Sequence, residues 1–335
     1  MTIVLISLFL EAPPRRLNQS VGFAARLLQF DPIGTILFIP AIVCLLLALQ
    51  WGGTTYLWSN GRIIALFVLF GVLIVTFVGV QIWKGDEATV PPRIFTQRSI
   101  LAGTWFGCSL GGAFFLFIYY IPIWFQAIKG TTAINSGIRT LPLILAQVIG
   151  VVISGGLTTQ FGYYTPFMIV STVLMAVGSG LLTTLKVDSG AGMWIGYQII
   201  FGLGAGSGFQ QPVLAAQTVL DLHDVPIGVA TNMFLQLFGG TLFVSVGQNV
   251  FANRLISNLI VKLPHVNPQV VLQTGATELK KIVAPGQVGA LLEAYNGALT
   301  HAYMVALVIS CLTVFGAVAM EWKSVKGKKL ENAAA

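Results

Sequence analysis

Long apolar runs alternate with short polar stretches from Asp31 to Glu321. A helix needs roughly 20 residues to cross a bilayer. On that measure the pattern predicts eight complete spans, at approximately 32–51, 63–83, 99–125, 137–157, 165–185, 193–215, 227–250 and 301–321. From Thr140 to Leu185 there is no Asp, Glu, Lys or Arg. Helices satisfy their own backbone groups in lipid, so spans this apolar are expected to be helical. Start signals agree: Asp31 is an N-cap followed by Pro32, and Thr165-Pro166 and Val225-Pro226 place proline similarly.

Ahead of the first complete span, residues 1–10 form an apolar stub too short to cross, and a basic loop fills 11–30. The stub lacks a basic region before it and does not read as a signal peptide. It reads as the tail of a helix whose start is missing, and the chain as the back portion of a polytopic membrane protein.

Composition supports lipid as the main solvent. The 335 residues are 56% hydrophobic and only 9% charged, where a soluble domain carries about 25% charged residues. A net charge of +7 raises nucleic acid as a partner. The basic residues sit in short loops beside spans, however, which is a topology pattern rather than a nucleic-acid patch. With the C-terminus inside, inner segments hold Arg15, Arg16, Arg26, Lys84, Arg93, Arg98, Lys323, Lys326, Lys328 and Lys329. Short outer loops hold Arg62, Lys129, Arg139 and Lys186. This bias puts the tail 323–335 and the loop 85–98 in the cytosol and the segment 252–300 outside. The sequon at Asn18 then lies inside, where no glycan is expected. Arg139, at the outer end of its span, is expected to snorkel to the headgroups. Within 252–300, apolar positions from Thr277 to Tyr295 recur at helical spacing, broken by Pro285-Gly286. Two short amphipathic pieces are expected there, as a connecting hairpin, a surface element or a cap over the mouth.

Cys44, Cys108 and Cys311 fall inside spans and match no disulfide framework or metal spacing. Glycines recur at helical-face spacing: Gly103, Gly107 and Gly111, then Gly202, Gly204, Gly206 and Gly208. Small residues let membrane helices approach closely, whereas a nucleotide loop must follow a strand. Uncharged polar residues within spans point to function, because lipid-facing positions penalise them. Gln147 sits mid-span; Gln198, Gln210 and Gln211 flank the second glycine run; Asn232 and Gln236 share one helical face. Tyr119, Tyr120, Trp124, Phe125 and Gln126 close another span beside Pro122. Two readings stay open for these positions: a central cavity for an amphiphilic ligand, or helix-to-helix amide bonds with an interfacial aromatic belt.

No Asp or Glu lies deep in a span; Asp31 and Glu321 are at ends, His223 is in an inner loop and His301 opens the last span. A proton-driven carrier needs a buried titratable group, so any coupling carboxylate is expected outside this chain. Nothing reads as an enzyme: there is no metal cluster, no nucleophile beside a base and no phosphate loop.

Three runs carry a resemblance. Asp31-Pro-Ile-Gly-Thr-Ile-Leu-Phe-Ile-Pro40, continuing through Leu45 to Gly53, resembles fungal major facilitator proteins of the fourteen-span drug:proton antiporter group. Gly202-Leu-Gly-Ala-Gly-Ser-Gly-Phe-Gln-Gln-Pro212 is similar to the same group, as is Asp224-Val-Pro-Ile-Gly228 with Gln236-Leu-Phe-Gly239-Gly240. One departure stands at Gly155–Tyr164. The glycines Gly155, Gly156 and Gly162 of the family's inner-loop motif persist, but Thr159 replaces its acid and Tyr163 and Tyr164 its bases.

The resemblance implies an all-α membrane fold: two central spans within 31–84 and a C-terminal six-helix bundle within 99–322. It also implies a first bundle expected in a full-length form. Gly155, Gly162, Gly202, Gly206, Gly208, Gly239 and Gly240 then become candidates for helix packing and gating. Tyr119, Trp124, Gln126, Gln147, Gln210, Gln211, Asn232 and Gln236 become candidates for a substrate cavity. The implied function is export of toxins, drugs or secondary metabolites across a fungal plasma or vacuolar membrane. It would run by alternating access on a proton gradient, with no cofactor. The alternatives are a transport-inactive half-protein and, lower, a membrane receptor or scaffold.

Overall fold

In the computed structural model, residues 31–279 and 283–326 are described. The stub, the loop with Arg15, Arg16, Asn18 and Arg26, residues 280–282 with Lys280 and Lys281, and the tail with Lys328 and Lys329 lie outside them. Helices dominate the described residues; the only extended pairings among them are isolated bridges, Gly52 with Tyr56 and Tyr163 with Ser324. The long helices are α1 (Pro32–Trp51), α2 (Gly61–Lys84), α4 (Arg98–Ala127), α5 (Ala133–Phe161), α6 (Thr165–Thr183) and α7 (Ala191–Phe209). After the shorter α8 (Gln211–Val219) come α9 (Val225–Lys262) and α11 (Val288–Ala319). Short helices α3 (Pro92–Phe95) and α10 (Pro268–Gln273) lie in connections. Seven of the described helices are long and apolar enough to cross a membrane.

Three boundaries differ from expectation. The span expected at 193–215 is two helices, because the chain breaks at Gln210 and restarts with Pro212 in the first turn of α8. Proline cannot donate to the preceding turn. The segment 252–300 is not mainly loop. α9 continues to Lys262 and α11 begins at Val288 instead of 301, so the connection shrinks to 263–287. Beyond the membrane-length run, α9 stays amphipathic: Leu255 and Leu259 are buried, and Lys262 pairs with Glu293 of α11 at 2.7 Å. The expected second amphipathic piece is thus the first turns of α11. His301 sits inside that helix, its Nδ1 2.7 Å from the Gly297 carbonyl.

α4 is the hub. It packs against α9, α11, α5 and α8, while α7 joins α5 to α6. The core gathers large rings: Phe117 lies 4.6 Å from Phe201 and 5.2 Å from Tyr303, centroid to centroid. α1 and α2 form a hairpin that touches the rest chiefly through α1 on α9, with Phe38 5.3 Å from Phe234.

The loops fall at two ends. At the lower end, Gly162 ends α5 at φ 85°, a left-handed conformation that glycine adopts without strain. Its carbonyl accepts from the Val325 N–H at 2.8 Å. Tyr164 and Thr165 donate to the Glu321 carbonyl, and Ser99 donates to the Glu321 carboxylate at 2.7 Å. The residues after α11 are therefore sewn to the α5–α6 turn and to α4. At the upper end, Lys129 donates to the carbonyls of Val187 and Ser189.

Candidate functional site

Three elements border a groove of about 670 Å³. α1 supplies Leu46 and Gln50, α4 supplies Phe115, Ile118 and Tyr119, and α9 supplies Leu237, Thr241, Val244, Ser245 and Gln248. Its floor is Gly240, which lets the Phe115 ring approach α9 closely. No lining residue is charged. Thr241 and Ser245 spend their hydroxyl protons on their own helix, donating to the Leu237 and Thr241 carbonyls. No hydrogen bond engages the side-chain amides of Gln50 or Gln248 among the described residues. Such a wall, apolar with two free amides, suits a neutral or amphiphilic molecule.

Of the expected cavity residues, Tyr119 alone lines this groove, 49% exposed. Trp124 is fully buried; its Nε1 donates to Asn296 Oδ1 at 2.7 Å, and Asn296 holds the Leu185 carbonyl. Gln126 donates to Ser136 at 3.1 Å, tying α4 to α5. Gln211 is buried, donating to the Ser207 carbonyl and accepting from Thr158. Gln210 is exposed at the helix break, and Gln147 is half-buried where α5 meets α7.

Asn232 and Gln236 do not line this groove. They do share a face, but that face is pressed on the glycines of α4: Asn232 against Gly103, Gln236 against Gly107 and Gly111. Asn232 Nδ2 turns back to the Gly228 carbonyl, while Asn232 Oδ1 and Gln236 Nε2 are buried without a partner. The amides belong to a helix–helix seam. The sequence reading missed Gln50, Thr241, Ser245 and Gln248. The last three sit four and three residues apart on one face of an otherwise apolar helix, a polar stripe that was available as a signal.

The glycines divide. A side chain at Gly202 or Gly206 would overlap the carbonyls of Leu143 and Gln147 on α5; at Gly208 it would meet Ser171. Gly239 rests on the Cys108 carbonyl of α4. Gly155 packs on nothing within 4 Å and has no helix-packing contact here. Gly162 serves as the α5 cap against Ser324 and Lys326. Arg139 is half-buried near the start of α5. Its guanidinium lies 5.8 Å from the Phe125 ring centroid and 5.9 Å from that of Trp194.

Two polar clusters hold the lower end. Asp31, 1% exposed, caps α1 through Gly34 and accepts from Gln81 (2.8 Å), Lys84 (2.7 Å) and Thr89 (2.9 Å). Burial alone would raise its pKa; the Lys84 ammonium and the other donors outweigh that and hold it well below the usual carboxylate range. Arg93, in α3, holds Asp224 with two nitrogens and Asp86 with a third. Next to Arg93, Ile94 is buried among Ile100, Ala216 and Leu220.

No protein-family model matches the chain. Curated relatives do. The chain is 54% identical over its full length to the MFS-type efflux pump MFS1 of Arthroderma benhamiae, covering 62% of that protein. It is 50% identical to the efflux pump roqT of Penicillium rubens, over 95% of this chain and 59% of that one. It is 46% identical to the efflux pump aflT of Aspergillus parasiticus, over 97% and 63%. The chain thus spans less than two thirds of the length of these relatives. Among solved structures, an inward-facing bacterial homologue of the human lysosomal transporter Spinster aligns at 13% identity and TM-score 0.48, over 87% of this chain and 65% of that one.

Proposed function

Because the chain belongs to the major facilitator superfamily, among its fungal MFS-type transporters, we propose that it forms part of an exporter of small amphiphilic compounds. It is an integral multi-pass membrane protein. The observation that carries the reading is the uncharged groove between α1, α4 and α9, with Tyr119 and the free amides of Gln50 and Gln248. The relatives' names give efflux as the direction.

The mechanism we propose is alternating access, with this chain supplying one wall of the path. The glycine seams suit it, since backbone-to-backbone contact lets helices shift without repacking long side chains. A proton gradient supplies the energy, and the coupling carboxylate lies elsewhere than in the described spans, whose acidic residues sit at their ends. The lower end is cytosolic on the Lys and Arg bias, in a plasma or vacuolar membrane. Tight sewing of Glu321, Ser99 and Tyr164 there makes this end the natural fulcrum.

The test is efflux of a fluorescent amphiphile from yeast expressing the protein. Gln50→Ala with Gln248→Ala should cut export at least fivefold with unchanged membrane abundance. Unchanged export would refute the groove. Absence of export by the unaltered protein would instead favour a transport-inactive form.

A further inference from the structure

Arg139 stands in an environment that a structural arginine does not need. It is the seventh residue of α5, about 9 Å along the helix from its start at 1.5 Å per residue. The half-buried side chain lies over two rings, Phe125 from α4 and Trp194 from α7, which themselves meet edge to face at 4.8 Å. The rings hold the flat face of the guanidinium by cation–π attraction. They do nothing for its rim, where five N–H donors point. Among the described residues no carboxylate pairs with Arg139 and no oxygen accepts from its guanidinium.

A second feature lies beside it. Gln198 is 1% exposed, and its Nε2 donates to the Arg139 carbonyl at 3.2 Å. That bond ties α7 to α5 at the arginine. Gln198 Oε1 is buried with no donor, and so is Thr131 Oγ1 with no partner. The upper mouth also carries Lys129, over the Trp124 ring at 5.3 Å. Its pKa is lowered by desolvation; the charge of Asp188 opposes this, and the charge of Arg139 adds a smaller push in the lowering direction. Phe125, under the arginine, is six residues beyond Tyr119 on α4, so the arginine lies about 9 Å further up that helix than the groove and about 120° around it.

We infer that Arg139, held on Phe125 and Trp194, is a recognition site for the carboxylate of an amphiphilic aromatic ligand. The inference rests on the proposed carriage of amphiphiles and narrows the substrate class to organic acids. Two N–H groups of the guanidinium rim match a carboxylate's two oxygens. Trp194, half-buried, offers apolar surface to the ligand's body, while Phe125 is fully buried beneath the cation. Gln198 ties α7 to α5 at the level of the arginine. A phosphate of an anionic lipid shares the oxyanion chemistry, and the experiment separates the two.

The test is binding of 2-naphthoate and its neutral analogue 2-naphthamide to the purified protein in phosphatidylcholine nanodiscs. Naphthoate should bind about tenfold tighter than naphthamide, the size expected of one charge-assisted pair. Arg139→Gln should abolish that preference while leaving naphthamide within twofold, and Arg139→Lys should retain part of it. Equal affinities in the unaltered protein, or a preference that survives Arg139→Gln, would overturn the inference and leave the transporter reading standing. Arg139→Gln that binds neither compound would make the arginine a packing residue and overturn it too. Failure of both compounds on the unaltered protein would count against both readings. Loss of the preference on adding phosphatidylserine would assign the arginine to a lipid headgroup and overturn it.

Discussion

Arg93 and Asp224 are 131 residues apart in sequence and joined by two parallel hydrogen bonds. The pair locks the connection after α2 to the turn that starts α9. Asp224 is 5% exposed, and Ile94 beside the arginine is buried in the same contact. Polar pin and apolar plug act together, so α3 is docked rather than tethered.

Breaking the pin with Arg93→Ala should lower the apparent melting temperature of the purified protein by about 2–4 °C, as expected for a modest loss in a chain of this size. The exchange Arg93→Asp with Asp224→Arg should recover part of it. Arg93 holds the Asp224 carboxyl below its ordinary 3.8. A depressed acid stabilises above its unfolded pKa and loses that contribution as pH falls through the folded one. The difference between the unaltered protein and Arg93→Ala should therefore be flat from pH 5 to 8 and shrink only below about 4. A difference that grows on acidification would contradict the assignment.

Asp31→Asn keeps the cap and the left-handed backbone (φ 46° at this residue), since asparagine tolerates both. It leaves Lys84 facing a neutral group. Removing one partner of a buried ion pair costs roughly 3–5 kcal/mol. The α1–α2 hairpin should loosen, seen as faster proteolysis in the 85–97 loop while the other loops keep their rates. Uniform protection would mean that the charge is dispensable.

Gly206→Val places a branched side chain against the Gln147 carbonyl. Overpacking typically costs about 1–3 kcal/mol and more when backbone is the obstacle, so a monodisperse elution profile in detergent should be lost. Gly155→Val, with nothing within 4 Å, should elute as the unaltered protein does.

Asn232→Ala with Gln236→Ala should leave the Km for export unchanged, because these amides face Gly103, Gly107 and Gly111 rather than the groove. A raised Km in the double variant, without loss of abundance, would return them to the substrate path.

Hydropathy made the spans readable because lipid imposes one rule on every exposed position. It failed where a second rule took over. At Gln210 the apolar run continues but Pro212 interrupts the backbone ladder. Beyond Phe251, α9 leaves the apolar regime and depends on Leu255, Leu259 and Lys262 meeting α11, a tertiary matter. The site was read less well. Helical spacing correctly placed Asn232 and Gln236 on one face, but a helical wheel does not say what that face meets. Trp124 was read with the rim aromatics because its buried partner, Asn296, is 172 residues away. The glycine runs were the clearest signal, since their small size has one main use in lipid, and Gly155 shows that even this depends on a neighbour being there.

One consequence follows from the length of α9. Its 38 residues extend about 57 Å at 1.5 Å per residue, nearly twice the roughly 30 Å of a hydrocarbon core. Asp224 anchors the foot of this rod, Gln248 faces the groove part-way up, and Lys262 at the tip grips α11. A rod pivoted at one end works as a lever. A tilt of about ten degrees at the foot would carry the tip roughly 10 Å by simple geometry on that rise. A small adjustment at one membrane face would thus become a large displacement beyond the other.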